Sequence, residues 1–411
     1  MHMTTGEVIR RIRKSLGMTQ SELGAVLGYT QPAISQLEHD GAAVHDVRVL
    51  RRVAKALQVP LAILVVESNE EADVNRRNFL RTGAMGAGAA VGTGVVGGSH
   101  GAGSTSAVAR SDSVKIGAGD VAEITANITQ IHELDRIVGG DRLCRLAAHK
   151  VRYVEYLLDS GSYNDDIGRQ LTSTAAEMMT AAGWVCYDAG RLDQARRYYA
   201  DAAQAAAATN DGIAVSHALI NACLLSYRDG IRPREGVQLA EAAQRAAMSH
   251  GGPKLRALAA TREAEAQAAV GDKQAMRAAV SRAHRAYASS RGHDPEYLVS
   301  LPETTLNGLI GLAFKRLGDH EEAAAHLQAA IDGTTAYPRQ RTGWQLGLAE
   351  NWIEAGDVAE GCALLSTNFE AIGSVASTRS HTRLNSIAHT VRPHNKVPEV
   401  REFLGMVAER G

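Results

Sequence analysis

The chain of 411 residues is poor in aromatics (4%) and carries only four cysteines, Cys144, Cys186, Cys223 and Cys362. None of them forms a C-x-x-C pair, so a thiol-ligated metal site of that type is excluded and a disulfide framework is not indicated; reduced core cysteines are expected. Formal net charge is −1, so the chain as a whole is no polycation. No run of 18 apolar residues exists, which argues against a membrane-spanning helix and leaves no stable membrane association expected. H-E-x-x-H, a G-K-[ST] phosphate loop and a G-x-S-x-G elbow are all missing. Gly86, Gly88 and Gly92 echo a dinucleotide loop, but no strand precedes them. The fifteen histidines, His39 and His45 among them, show no metal-like spacing. The expectation is therefore a protein that is not an enzyme, with no cofactor and no metal. Alternating strand patterns are also lacking, and the chain reads as all-α.

Three regions emerge from what is present. Residues 1–67 read as five short helices. Residues 68–119 read as a linker, acidic and polar first and then rich in Gly and Ala, with nine glycines in 83–103. Residues 120–411 are helical at a period of 3.6 nearly throughout. Arg outnumbers Lys 36 to 8, which suggests a GC-rich, bacterial coding sequence.

In the N-terminal region Val8, Ile9, Ile12 and Leu16 form an apolar face, with Arg10, Arg11, Arg13 and Lys14 around the remainder. Gly17 ends this helix. Thr19 and Glu22 have capping-box spacing ahead of Leu23, Val26 and Leu27. Gly28 stops the second helix. Thr30 is placed to cap a third, with Pro32 in its first turn, where a missing N–H costs little. Ile34 and Leu37 face inward, and Gln31, Ala33, Ser35 and Gln36 are left outward. A fourth helix is expected over Val47–Leu57 and a fifth over Pro60–Val65. Eight basic and five acidic residues in 1–66 give this region a local excess of three positive charges. Two short helices joined by a glycine turn, the second presenting short polar side chains, have helix-turn-helix geometry.

The stretch MTQSELGAVLGYTQPAISQLEHDG (18–41) resembles the XRE-type helix-turn-helix family, through Thr19–Leu23, Gly28, Thr30-Gln31 and Ile34–Glu38. The resemblance implies double-stranded DNA as partner. It implies that Gln20 touches the phosphate backbone, that Gln31 and Gln36 reach base edges, and that Ser35 helps at the groove or backbone; Thr30 is a further candidate DNA-binding residue. Arg48, Arg51 and Arg52 are candidates to neutralise phosphates. Two departures stand out. Gly24 occupies a position that is usually Ala, and the glycine usual two residues after the family's glutamate comes at Gly41, three after Glu38.

The long C-terminal region contains repeats. GWVCYDAGRLDQARRYYADAAQAAA (183–207) and GLAFKRLGDHEEAAAHLQAAI (311–331) share a turn glycine followed by small and large residues at matching places. Weaker copies turn at Gly230, Gly271 and Gly356, so successive intervals from Gly190 are 40, 41, 47 and 38 residues. These units resemble tetratricopeptide repeats, lengthened beyond the usual 34 residues. Stacked hairpins form a superhelix with a concave face. Counting back from the turns puts Trp184, Tyr187, Tyr227, Thr261, Glu265 and Lys315 on that face, with Asn221 at its edge, as candidate ligand-binding residues; packing between hairpins is the competing reading for the aromatics. Pro398 and Glu399 open an expected capping helix.

A DNA-binding head joined to such repeats is similar to bacterial regulators of the peptide-sensing RRNPP group. The resemblance implies a homodimer that binds an operator and senses a peptide or small-molecule effector. The segment RRNFLRTGAMGAGAAVGTGVVGG (76–98) resembles a twin-arginine export signal. It follows a complete head, so the expectation is a flexible linker in a cytoplasmic protein, with Arg76, Arg77 and Phe79 able to dock on the repeats. The alternatives are a protein-interaction scaffold and export of a repeat-only form.

Overall fold

The first helix begins where Thr4 accepts a hydrogen bond from the Glu7 amide, and it ends before Gly17, which takes a φ of 69° that L side chains rarely adopt. The computed structural model describes residues 3–64, 114–228, 232–289, 293–295, 298, 301–335, 337–375 and 377–410. The twin-arginine segment, Arg76, Arg77, Phe79 and the turn at Gly230 lie outside them.

Five short helices make the head: α1 (Thr5–Ser15), α2 (Gln20–Leu27), α3 (Gln31–Glu38), α4 (Val47–Ala56) and α5 (Leu61–Leu64), with a 3-10 turn at Ala42–His45. The expected capping box at α2 is formed: the Glu22 amide donates to Thr19 Oγ1 and the Thr19 amide to Glu22 Oε2. Thr30 stands at the N-cap of α3 in extended backbone, but its side chain makes no capping hydrogen bond, contrary to expectation. Val8, Ile9, Ile12, Leu23, Ile34, Leu37, Leu50, Val53 and Leu57 close the core.

Both departures from the family pattern acquire a physical reason. A Cβ at Gly24 would lie 2.6 Å from the Tyr29 carbonyl oxygen, so the usual alanine does not fit the approach between α2 and the turn. After α3 the left-handed position is Asp40 (φ 57°), not a glycine. Aspartate tolerates that region better than most residues, and here its carboxylate accepts from the Gly6 amide at 2.8 Å, tying the exit of α3 to α1.

The rest of the described chain is a helical array: α6 (Ala118–Val138), α7 (Gly140–Ser160), α8 (Asp165–Asp188), α9 (Leu192–Ala208), α10 (Gly212–Arg228), α11 (Pro233–His250), α12 (Pro253–Ala269), α13 (Lys273–Tyr287), α14 (Glu303–Leu317), α15 (His320–Gly333), α16 (Pro338–Ala355), α17 (Val358–Thr367), α18 (Phe369–Ser374), α19 (Thr378–Val391) and α20 (Pro398–Arg410). The five repeat units are five hairpins, α8–α9 through α16–α17. Gly190, Gly271, Gly318 and Gly356 take positive φ (74°, 80°, 76° and 103°) at their turns. A Cβ at Gly183 would meet the Tyr199 ring at 2.5 Å, and one at Gly311 would meet Leu327 at 2.7 Å, so these glycines let the two helices of a hairpin touch.

The array begins earlier than the expected boundary at 120. Ile116 is buried, its amide donates to the Ser162 carbonyl, and the Ser162 amide donates to Val114. Lys115 and Ser162 form an isolated bridge, the only extended pairing among the described residues. At the other end α20 covers α17, with Val400 and Phe403 buried. All four cysteines are buried and none is in a disulfide. No described helix is long and apolar enough to cross a membrane.

Two long-range features fix the shape. The head rests on the start of the array, α1 against α6 and α5 against α7, and the Arg142 guanidinium donates to the Met3 carbonyl. The array also closes on itself. Arg339, at the start of α16, reaches Asp135 of α6 and Asp188 of α8, each at 2.9 Å. Ser377, just before α19, donates to Asp188 at 2.9 Å.

Candidate nucleic-acid interface and cavity

A polar chain organises the outward face of the head. The Gln31 amide donates to Gln20 Oε1 at 2.5 Å, the Gln20 amide donates to Glu38 Oε2 at 2.9 Å, and Glu38 receives Arg13 Nε at 2.5 Å and Nη2 at 3.0 Å. Glu38 and Arg13 are only 4% and 6% exposed. Burial alone would raise the Glu38 carboxyl, but the hydrogen bonds from Arg13 and Gln20 and the charges of Arg13 and Arg10 hold it below its usual value. The sequence reading had put Arg13 on the polar face of the first helix. It is instead inside, because Glu38 at the end of α3 supplies its counter-charge. This pair passes its order through Gln20 to Gln31, at the first turn of α3.

The candidate DNA-contacting residues are distributed as follows. Thr30, Gln31 and Gln36 are exposed, and Gln20 and Ser35 are half-buried. Gln36 borders a cleft with Tyr29, Ala33, Gly41, Ala42 and Ala43. Arg51 is exposed. Arg48 is exposed too, but its guanidinium is paired to Asp46 at 3.2 Å. Arg52 donates to the Leu27 carbonyl at the C-terminal end of α2 and lies 5.1 Å over the Tyr29 ring. That position complements the helix dipole and braces the turn between α2 and α3.

Residues 9–64 match the family model described as helix-turn-helix. The match spans α2 and α3 with their supporting helices and supports a DNA-binding regulator with an XRE-type helix-turn-helix head. No curated protein matches the chain.

Beside the helix-turn-helix head, the closed array borders a solvent-open cavity of about 710 Å³. Its wall includes Ser15 of the head, Trp184 of α8, Leu224 and Arg228 of α10, Leu258 and Arg262 of α12, Leu309 and Leu312 of α14, Arg339 and Trp344 of α16, and Arg379 and Arg383 of α19. Of the seven candidate ligand-binding residues, Trp184 lines this cavity, and its indole N–H donates to Asp135 at 3.0 Å. The other six sit in the packing around it. Tyr187 is buried beneath the Arg379 guanidinium, 4.9 Å from its ring. Asn221 donates to the His217 carbonyl and Thr261 to that of Leu258. Tyr227 donates to Glu265 at 2.6 Å. Lys315 pairs with Glu350 and Glu354. The side chains of these six are engaged by neighbouring residues and helices.

The arginines of the wall were missed by sequence reasoning. Arg228 and Arg262 are sequence neighbours of the counted Tyr227 and Thr261. Arg379 and Arg383 stand one helical turn apart, a spacing that places both on one side of α19. Arg228 and Arg262 hold Glu265 at 2.9 and 2.6 Å; Arg383 and Lys315 hold Glu350 at 2.8 and 2.9 Å. Burial pushes both carboxyls up, but for Glu265 the charges of Arg228 and Arg262, and for Glu350 those of Arg383 and Lys315, with their hydrogen bonds, bring each down to about 2.

A carboxyl lowered by folding contributes stability that is fully present above its unfolded value and is lost as pH falls through the folded one. The described array is therefore expected to lose stability steeply from about pH 4.5 toward pH 2. Glu350→Gln removes one of these titrations. Its urea stability should fall less steeply over that range, by up to one proton, or about 1.4 kcal/mol per pH unit. Parallel pH profiles for the parent and the variant would disprove the assignment.

Proposed function

We propose that the protein is a sequence-specific DNA-binding transcriptional regulator, acting in the cytoplasm as a homodimer, whose helical array senses a peptide or small molecule. The helix-turn-helix match and the exposed glutamines of α3 support the DNA-binding half. A glutamine pairs bidentately with adenine in the major groove, and an exposed Arg51 adds a phosphate contact. One head reads only a few base pairs, so useful affinity calls for two heads on half-sites about 34 Å apart.

The observation that carries the sensing half is Ser15. It belongs to the head and yet forms part of the wall of a cavity otherwise built by the array. A molecule in that cavity touches both bodies. If it favours one placement of the head over another, it changes DNA affinity; an equal affinity for both would change nothing. The hairpins are consistent with repeat units of the kind that bind ligands on a concave side.

The test starts with selection of bound sequences from a random DNA pool by the full chain. Gln31→Ala and Gln36→Ala should each weaken the selected site by about 1–3 kcal/mol while leaving random duplex unaffected. Equal losses on selected and random DNA in a gel-shift titration would refute sequence-specific reading by α3.

A further inference from the structure

The wall of the cavity has an unusual imbalance. Five arginines face it (Arg228, Arg262, Arg339, Arg379 and Arg383) against one carboxylate, Asp135. Behind them Asp188, Glu265 and Glu350 provide counter-charges. With Lys315 and its second partner Glu354, the described cluster holds six cations and five carboxylates, a surplus of one positive charge.

Of the four buried polar atoms on this wall that make no hydrogen bond, three are donors. Arg262 Nε, Arg379 Nε and Trp344 Nε1 make no hydrogen bond, while Arg262 and Trp344 are only 8% and 7% exposed. All three are donors that have no capacity to accept. A single acceptor, Asp135 Oδ1, is unmet on the same wall. Donors left unmet in a buried site cost stability, and an acceptor that reached them through a small side-chain shift would remove that cost. The wall also has an apolar part: the Trp184 and Trp344 rings with Leu224, Leu258, Leu309 and Leu312.

We propose that the cavity binds a small organic monoanion, a carboxylate carried on a ring system, with the carboxylate among the arginines and the rings between the two tryptophans. This deepens the sensing role proposed above and rests on it. The volume falls in the range of sites for single small molecules, about 300–1,000 Å³. A peptide fits this wall less well. Its backbone needs donors and acceptors along its length, and the one side-chain amide on the wall, Gln340, already donates to Thr305 at 2.6 Å.

The test uses the purified full chain and isothermal calorimetry with 2-naphthoate, and with 2-naphthamide as the uncharged molecule of the same shape. One naphthoate should bind per chain, at least tenfold tighter than the amide. Trp344→Phe, which keeps a ring and loses one N–H, should weaken naphthoate severalfold and leave the amide unchanged. Arg262→Lys, which keeps the charge and loses the Nε donor, should do the same, with circular dichroism confirming the fold. Equal binding of acid and amide, an unchanged affinity in Trp344→Phe, or no saturable binding of naphthoate at millimolar concentration would each overturn the proposal. DNA affinity measured with saturating naphthoate separates the two readings. Tight, acid-selective binding that leaves DNA affinity unmoved upholds the ligand class and removes the sensing role.

Discussion

Glu265→Ala should destabilise the array by about 3–5 kcal/mol, a loss read as a lowered urea midpoint. Glu265 is 1% exposed and accepts from Arg228, Arg262 and the Tyr227 hydroxyl. Its removal leaves a buried guanidinium, Arg262, and a half-buried one, Arg228, with no carboxylate between them, and an unpaired buried charge is far more costly than the pair was favourable. The asymmetry gives a second arm. Replacing the three charges together, by Arg228→Met, Arg262→Met and Glu265→Leu, should recover most of the loss, because the desolvation cost disappears with the charges. A soluble triple variant beside an insoluble Glu265→Ala expresses the same result more strongly. A single variant within about 0.5 kcal/mol of the parent would show that the triad is solvated and not buried.

Arg339→Met should cost a similar amount, about 3–5 kcal/mol, and should also change the shape of the molecule. Arg339 bridges Asp135 and Asp188, and Asp188 is fully buried. Without the guanidinium, Asp188 keeps Ser377 at 2.9 Å and the more distant Arg379 at 3.7 Å, while Asp135 keeps the Trp184 indole. Repulsion between two under-compensated carboxylates then favours separation of α16 from α6 and α8. Small-angle scattering should record a larger radius of gyration than for the parent. An unchanged radius together with unchanged stability would show that Arg339 does not hold the closure.

What was legible in the sequence is what local geometry imposes. The capping box at Thr19 and Glu22, the stops at Gly17 and Gly28 and the hairpin turns at Gly190, Gly271, Gly318 and Gly356 all follow from residues within a few positions of each other. Gly183 and Gly311, which open the two clearest repeat units, prove to be crossing points, where a helix–helix contact needs a small residue opposite a large one. Features decided by distant partners were not legible. Arg13 looks like one more surface cation until Glu38 is placed beside it. Asp40 gives no hint of a positive φ until its bond to Gly6 is seen. Counting back from the turns does not say which residues of each first helix meet neighbouring helices and which meet the cavity. Trp184 and Tyr187, three residues apart, divide between those two fates. Arg339, Arg379 and Arg383 come from the far end of the chain, and only the closure brings them to Trp184.

That closure also bears on how the array comes apart. An open stack of hairpins behaves as a one-dimensional chain of neighbours, able to fray from either end one unit at a time. Here the bonds from Arg339 and Ser377 to Asp188 span 151 and 189 positions of the sequence, and the bond from Arg339 to the Asp135 carbonyl spans 204. The last hairpin therefore loses partners in the first whenever either one melts. The two ends of the array are thermodynamic neighbours, so protection against amide exchange should be shared between them, and the loop-closure entropy of bringing them together makes their docking a late step in folding.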